Sequence, residues 1–271
     1  FKKFSKVGYV DASENWDKWN NIVNSMESSG DTINIAMVGK YVTLADSYVS
    51  VNHALKHAGA SINRPVKIDW IDSETLNGNI ETLGKYNGIL VPGGFGTRGS
   101  EGIIETANFA RERNIPYLGI CFGFQLAAVS FARNVCNLID SNSTEIENKT
   151  KNPIIDLLPE QDDVTDFGGS LRLGANQIEI QENSMAHKIY NSNIISKRHR
   201  HRYEFNKKYL ESIDKNGMIF SGESDDGRRM EVLEIPSHKF FLGVQFHPEF
   251  NSRPGFPEES FKAFISAAGT N

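Results

Sequence analysis

At 271 residues, 39% of them hydrophobic, the chain can bury one large core or two small ones. Its formal charge of -5 argues against nucleic acid or an anionic membrane as a general partner, and no apolar run approaches the roughly 20 residues a bilayer span needs. Cys121 and Cys136 give neither a disulfide framework nor metal-ligand spacing, which points to a reducing, cytoplasmic compartment.

The sequence opens at Phe1, with no methionine and no apolar signal segment, and reads as a piece of something longer. Residues 1–31 are polar and linker-like, but Trp16, Trp19, Val23 and Met26 recur at three- and four-residue steps and predict a short amphipathic helix. That helix either caps its own domain or docks a neighbour outside this sequence. Residues 32–271 hold no repeat, low-complexity tract or linker and count as one domain. Within them, 33–38 reads as a buried strand ending at Gly39, and 48–58 as a helix that stops at Gly59. A second strand covers 66–71, and a third, 88–91, runs into Pro92-Gly93-Gly94-Phe95-Gly96. A helix over 101–113 follows.

Residues 115–120 are an apolar run of strand length, and beyond them Leu126, Val129 and Arg133 recur at helical spacing. The period changes at Cys121, between Gly119 and Gly123. A sharp strand-to-helix turn needs glycine on either side, because flanking side chains would collide there. The G-x-S-x-G elbow of hydrolases rests on the same physics, with sulfur here in place of oxygen. A thiol at a helix N-terminus has its thiolate favoured by the positive end of the dipole. The plain alternative is an inert buried cysteine, and the paired glycines argue against it. Strands alternating with helices predict an α/β fold: a doubly wound, mostly parallel sheet with flanking helices. Ligands bind beyond the carboxyl ends of such strands, where Gly93, Gly94 and Cys121 all fall.

After Asn134 the pattern shifts. Residues 170–173, 177–180 and 195–205 alternate like strands, and 184–190 and 206–213 suit short helices. Strands at 218–221, 230–235 and 240–245 and a last helix over 257–268 complete the reading.

A cysteine nucleophile needs a base, and the base needs something to orient it. His53 and His57 stand four apart on a helical stretch but have no third ligand, and read as packing or surface residues. His247 follows an apolar strand and has Glu249 two residues on, close enough to orient the imidazole and support its charge. Cys121, His247 and Glu249 are therefore a candidate triad. The glycine run at 93–96 lacks the lysine and Ser/Thr of a P-loop, so its N–H groups read as oxyanion donors. No nucleoside-triphosphate site is evident. In residues 197–202, strand alternation sends Arg198, Arg200 and Arg202 to one face and His199, His201 and Tyr203 to the other. Such an arginine row is either a solvated basic edge or a clamp for a carboxylate.

The stretches P-G-G-F-G, G-I-C-F-G-F-Q, N-S-T-E, R-H-R-H-R-Y-E and Q-F-H-P-E-F-N-S-R-P together resemble the class I (triad) glutamine amidotransferases. Within that class they are most similar to the glutaminase domains of the CTP synthase family, from about residue 33 to the C-terminus. The resemblance implies L-glutamine as substrate, Cys121 as nucleophile, His247 as acid/base and Glu249 as its orienter. It also implies an oxyanion hole from the N–H groups of Gly94 and Phe122. Gln125, Glu145 and Arg202 would hold the amino-acid end, with Arg202 on its carboxylate and Glu145 near its ammonium, and Phe95 would lie over the site. The family usually has leucine and methionine where this chain has Phe122 and Phe124; position 122 contributes mainly backbone, so the chemistry is expected to survive. No cofactor is implied for this domain. ATP, magnesium, GTP and UTP belong to the full, homo-oligomeric enzyme, whose synthetase domain would precede the 1–31 segment on the same polypeptide. An idle regulatory module of the same fold would show a lost triad member, and none is lost. An amidotransferase of another pathway would keep the triad without needing R-H-R-H-R-Y-E.

Overall fold

The computed structural model describes residues 13–26, 31–42, 44, 46–157 and 171–270. Residues 1–12 and 27–30 of the linker-like segment, and Ser170 of the strand expected at 170–173, lie outside the described residues. The helix expected near the start is α1 (Ser13–Met26), which packs on α2 (Val49–Ser61). It turns Ile22 toward the chain at Gly255 and leaves Trp16, Trp19 and Val23 exposed.

In chain order, β1 (Ile33–Gly39) precedes α2, and β2 (Val66–Asp72), β3 (Gly88–Val91), α3 (Ser100–Glu112), β4 (Tyr117–Ile120) and α4 (Phe122–Asn134) follow it. Next come β5 (Ser141–Ser143), β6 (Asn152–Leu157), β7 (Arg172–Ile180), α5 (Met185–Tyr190), β8 (Ile194–His201) and β9 (Tyr203–Phe205). The chain closes with α6 (Leu210–Lys215), β10 (Ile219–Ser224), β11 (Arg229–Glu234), β12 (Phe241–Val244) and α7 (Glu259–Gly269).

Nine strands form the central sheet in the order β2-β1-β3-β4-β12-β11-β10-β7-β8. From β2 to β12 neighbours run parallel, and from β12 to β8 antiparallel. The doubly wound architecture read from the alternating elements thus occupies the parallel half, and the strands after Asn134 extend it antiparallel. Helices α3 and α4 bury one face of the parallel half and α2 and α7 the other, while α5 packs beside α7 on β10 and β11. Strands covered on both faces have no use for polar alternation, which is why β3, β4 and β12 are buried throughout.

Helix α4 is buried on all sides from Phe122 to Ala132. A helix apolar all round must be covered all round. The cover opposite the main sheet is a second, three-stranded sheet, β5-β6-β9, which contributes Ile154 and Ile155 to the same core. The stretch expected as strand at 195–205 splits at Arg202 into β8 of the main sheet and β9 of this one, whereas the polar, proline-containing β5 and β6 (Ser-Asn-Ser and Asn-Pro) carry no strand pattern and were not foreseen. Two further expectations are corrected. The stretches 170–173 and 177–180 belong to one strand, β7, because β8 pairs with it continuously from Arg172 to Glu179. Helix α2 runs past Gly59 to Ser61.

Gly59 serves a close approach, not a stop: a Cβ there would sit 2.5 Å from Val66 Cγ2 and 2.6 Å from the Arg64 carbonyl oxygen. Gly59→Ala should therefore lower stability by roughly 1–3 kcal/mol, the cost of overpacking against backbone. Urea unfolding measures it, and an unchanged midpoint would show that the α2–β2 connection yields freely.

Candidate active site

The strand order of the parallel half reverses direction at β1/β3, and β4 and β12 lie next beyond, so their carboxyl ends open onto one crevice. Cys121 stands at the end of β4 as the residue before α4, with φ 51° and ψ -95°. A non-glycine residue held in that region is strained and persists only where its surroundings over-determine it. Here they do. The Cys121 N–H donates to the Val244 carbonyl at 2.7 Å, and its own carbonyl accepts from Gln125 N–H at 3.1 Å. A Cβ on Gly119 would lie 2.7 Å from the Gly123 carbonyl carbon, and one on Gly123 2.3 Å from the Val91 carbonyl oxygen. The two flanking glycines are what let strand and helix meet. Because Gln125 makes the first intrahelical bond, the amides of Phe122, Gly123 and Phe124 lie ahead of it at the open helix end.

His247 follows β12, and its N–H donates to the Arg198 carbonyl at 2.8 Å. The next residue, Pro248, opens a single 3-10 turn, Pro248–Asn251, which brings Glu249 back onto the ring: His247 Nδ1 and Glu249 Oε1 are 2.8 Å apart. That bond leaves the buried Nε2 as the ring's working nitrogen. Burial opposes the charged imidazole. The negative charge of Cys121 and that of Glu249 outweigh it and push the His247 pKa up to about 11. Cys121 and His247 line the same cleft, of about 500 Å³, with Gly93, Gly94 and Phe95 on its wall and Glu249 behind the histidine. A Cβ on Gly93 would come within 2.9 Å of His247 Cε1 and 3.8 Å of Cys121 Cβ, so the glycine run is pressed directly against both groups. Phe95 is half exposed at the mouth.

Gln125, Glu145 and Arg202 do not line this cleft but are linked to it in sequence from the cysteine. Gln245 Nε2 donates to Cys121 Sγ at 3.6 Å, and Gln125 Nε2 donates to Gln245 Oε1 at 3.2 Å and to the Tyr203 carbonyl at 2.8 Å. Arg202, the residue before, bends the chain between β8 and β9 and acts by charge on Glu145. Glu145 Oε1 accepts the Gly96 N–H at 2.7 Å and so returns to the glycine run. Burial raises the Glu145 pKa, while the Gly96 amide, Lys40 and Arg202 oppose that rise.

The alternation read over residues 197–202 holds as far as His201. Lys197, His199 and His201 are buried, and Arg198 and Arg200 are exposed. His199 Nε2 pairs with Glu231 at 2.8 Å, and Glu231 is also bonded to Arg172 and, at 2.5 Å, to Ser224. This buried network fixes β8, whose Arg198 and Arg200 carbonyls touch His247 and, at 3.8 Å, Cys121. Arg202 leaves the row at the bend. Sequence reading passed over three members of the site: Lys40, Gln245 and the carbonyl edge of β8. Two of them left a trace: Gln245 opens the Q-F-H-P-E stretch, and Lys40 stands as a charged residue directly after the buried strand β1.

A thiol on a strand–helix elbow, facing a histidine–glutamate pair across a glycine turn, is the arrangement of a triad amidotransferase, and the family model for class I glutamine amidotransferases matches residues 43–267. The chain belongs to that family. A CTP synthase from Staphylococcus saprophyticus is 53% identical over 254 residues, which are 93% of this chain and 47% of that protein. One from Archaeoglobus fulgidus is 48% identical over 257 residues, 95% of this chain and 48% of that protein. Among solved structures, the glutaminase domain of Trypanosoma brucei CTPS with bound acivicin superposes with a TM-score of 0.83 at 38% identity, covering 88% of this chain and 94% of that one. Within the family the chain therefore stands with the glutaminase domains of CTP synthases, and it spans about half the length of the curated relatives it matches.

Proposed function

We propose that Cys121, His247 and Glu249 hydrolyse the side-chain amide of L-glutamine through a cysteinyl thioester. The observation that carries the reading is the convergence of the elbow cysteine and the His247–Glu249 pair in one cleft. The Cys121 thiolate attacks the amide carbon, forming an S–C bond and an oxyanion that the Gly94 and Phe122 N–H groups stabilise. The C–N bond then breaks as His247 Nε2 gives its proton to the leaving nitrogen, which departs as ammonia. Neutral His247 takes a proton from water, whose oxygen attacks the thioester. Glutamate leaves, and the thiolate–imidazolium pair is restored. Glu249 keeps the ring oriented and its charge supported. Arg202 holds the substrate carboxylate, Glu145 faces its ammonium, Gln125 shapes the pocket between them, and Phe95 covers the entrance.

In the whole protein the ammonia passes to a synthetase half that aminates UTP to CTP with ATP and magnesium, in a homo-oligomeric cytoplasmic enzyme regulated by GTP. Two observations support a partner half of that kind: the relatives named CTP synthase are about twice as long as this chain, and these residues offer no phosphate-binding lysine loop. No helix among the described residues is long and apolar enough to cross a membrane.

The test is covalent labelling with a chloromethyl ketone analogue of glutamine, followed by peptide mapping. The label is expected on Cys121, with Cys136 spared, because only Cys121 has the elbow and the facing histidine. Labelling mainly at Cys136 would overturn the assignment. CTP formation from UTP, ATP and glutamine by this chain alone would overturn the division of labour.

A further inference from the structure

Lys40 has no part in the triad or the amino-acid clamp, yet it is only 3% exposed at the carboxyl end of β1. Its Nζ donates to the Phe95 carbonyl at 2.8 Å and to the Gly96 carbonyl, and lies 4.0 Å over the centroid of the Phe122 ring. A Cβ on Gly94 would lie 3.5 Å from Phe122 Cδ1 and 3.9 Å from Lys40 Cδ, so the three residues form one contact. Gly96 is gripped from both sides, its carbonyl by Lys40 and its amide by Glu145. Burying an ammonium is costly, and two carbonyls, a ring face and a nearby carboxylate are what offset it here.

We propose that Lys40 is a positioning residue for the oxyanion hole: it ties the backbone of residues 95–96 to the Phe122 ring and so sets the Gly94 and Phe122 amides at the spacing the oxyanion requires. The inference rests on the glutaminase reading and goes beyond it by naming what holds the hole together. It also gives Phe122 a use beyond its backbone, as the aromatic face on which the cation rests. Because the oxyanion exists only in the transition state, loosening this clamp lowers kcat and leaves KM nearly unchanged.

Burial holds the Lys40 pKa down to about 8; Arg98, from the loop before α3, acts in the same direction, while Glu145 and Glu74 (after β2) oppose it. The cation, and the clamp with it, is therefore present below about pH 8 and lost above it. A fall in the chloroketone rate near pH 8 that disappears in Lys40→Arg belongs to Lys40.

Two reagents separate hole geometry from thiol reactivity. A glutamine chloromethyl ketone needs its carbonyl oxygen in the hole, whereas iodoacetamide alkylates the thiolate without one. In Lys40→Met the chloroketone rate at Cys121 should fall about tenfold or more, with the iodoacetamide rate within about twofold of wild type. Lys40→Arg should retain most of the chloroketone rate and hold it to higher pH, since arginine does not titrate there. An unchanged chloroketone rate in Lys40→Met, an equal loss with both reagents, or a Lys40→Arg profile that still falls near pH 8 would each overturn the inference. The arginine arm decides the matter if the methionine variant does not fold. If the wild-type chain takes no chloroketone at Cys121, it is the glutaminase reading itself that fails.

Discussion

Cys121→Ala should abolish glutamate release from glutamine, a loss of roughly 10⁴-fold or more, because the acyl intermediate forms on its sulfur. His247→Asn should come close to it. Without the imidazolium, the leaving nitrogen has no proton donor, and the thiolate loses the charge that Nε2 brings to it. The double variant should be hardly worse than either single one, since nucleophile and base act as a unit. Glu249→Gln should cost less, roughly 10²-fold: an amide oxygen can still accept from Nδ1, but it removes one of the two negative charges that keep the ring protonated. Far-ultraviolet circular dichroism of each variant checks that the fold survives, and a coupled glutamate assay reads the rates. Additive losses in the double variant would mean that the cysteine and histidine work independently.

The parts of this site that are local in sequence were legible. Gly-x-Cys-x-Gly marks the elbow because the steric demand lies within five residues, and both glycines prove to be pressed against backbone. His-Pro-Glu marks the base and its orienter because a single 3-10 turn joins them. What was not legible comes from distant elements meeting. The Gly96–Glu145 bond spans 49 positions and the Lys40–Phe95 bond 55, and neither leaves a periodic or spacing signal. The three-stranded sheet was missed for a related reason. Its strands are three to six residues long, and only the burial of α4 on its far side calls for it. The arginine row misled at its last member, since the strand ends at His201 and the bend takes Arg202 toward Glu145. His199, on the face opposite the arginines, holds β8 to the core through Glu231 and so keeps its carbonyl edge against Cys121 and His247.

Arg202→Ala should raise the KM for glutamine roughly tenfold to a hundredfold, the loss of a charge-assisted bond of about 1.5–3 kcal/mol to the substrate carboxylate. Position motivates the choice. Arg202 acts on the half-buried Glu145, which is bonded to the glycine run, so substrate ammonium and carboxylate would find opposite charges side by side. Arg198 is the internal control: it is exposed and rests 5.9 Å from the Phe250 ring, and Arg198→Ala should change KM less than about twofold. Arg200 is the rival, because it lines the same cleft as Cys121 and could reach a carboxylate from the other side. Lysine in place of Arg202 should recover only part of the loss, since a point charge cannot make the paired bonds of a guanidinium. A larger KM effect from Arg200→Ala than from Arg202→Ala would move the amino-acid end of the substrate out of the Gln125–Glu145 side and into the cleft lined by Tyr48 and Phe250.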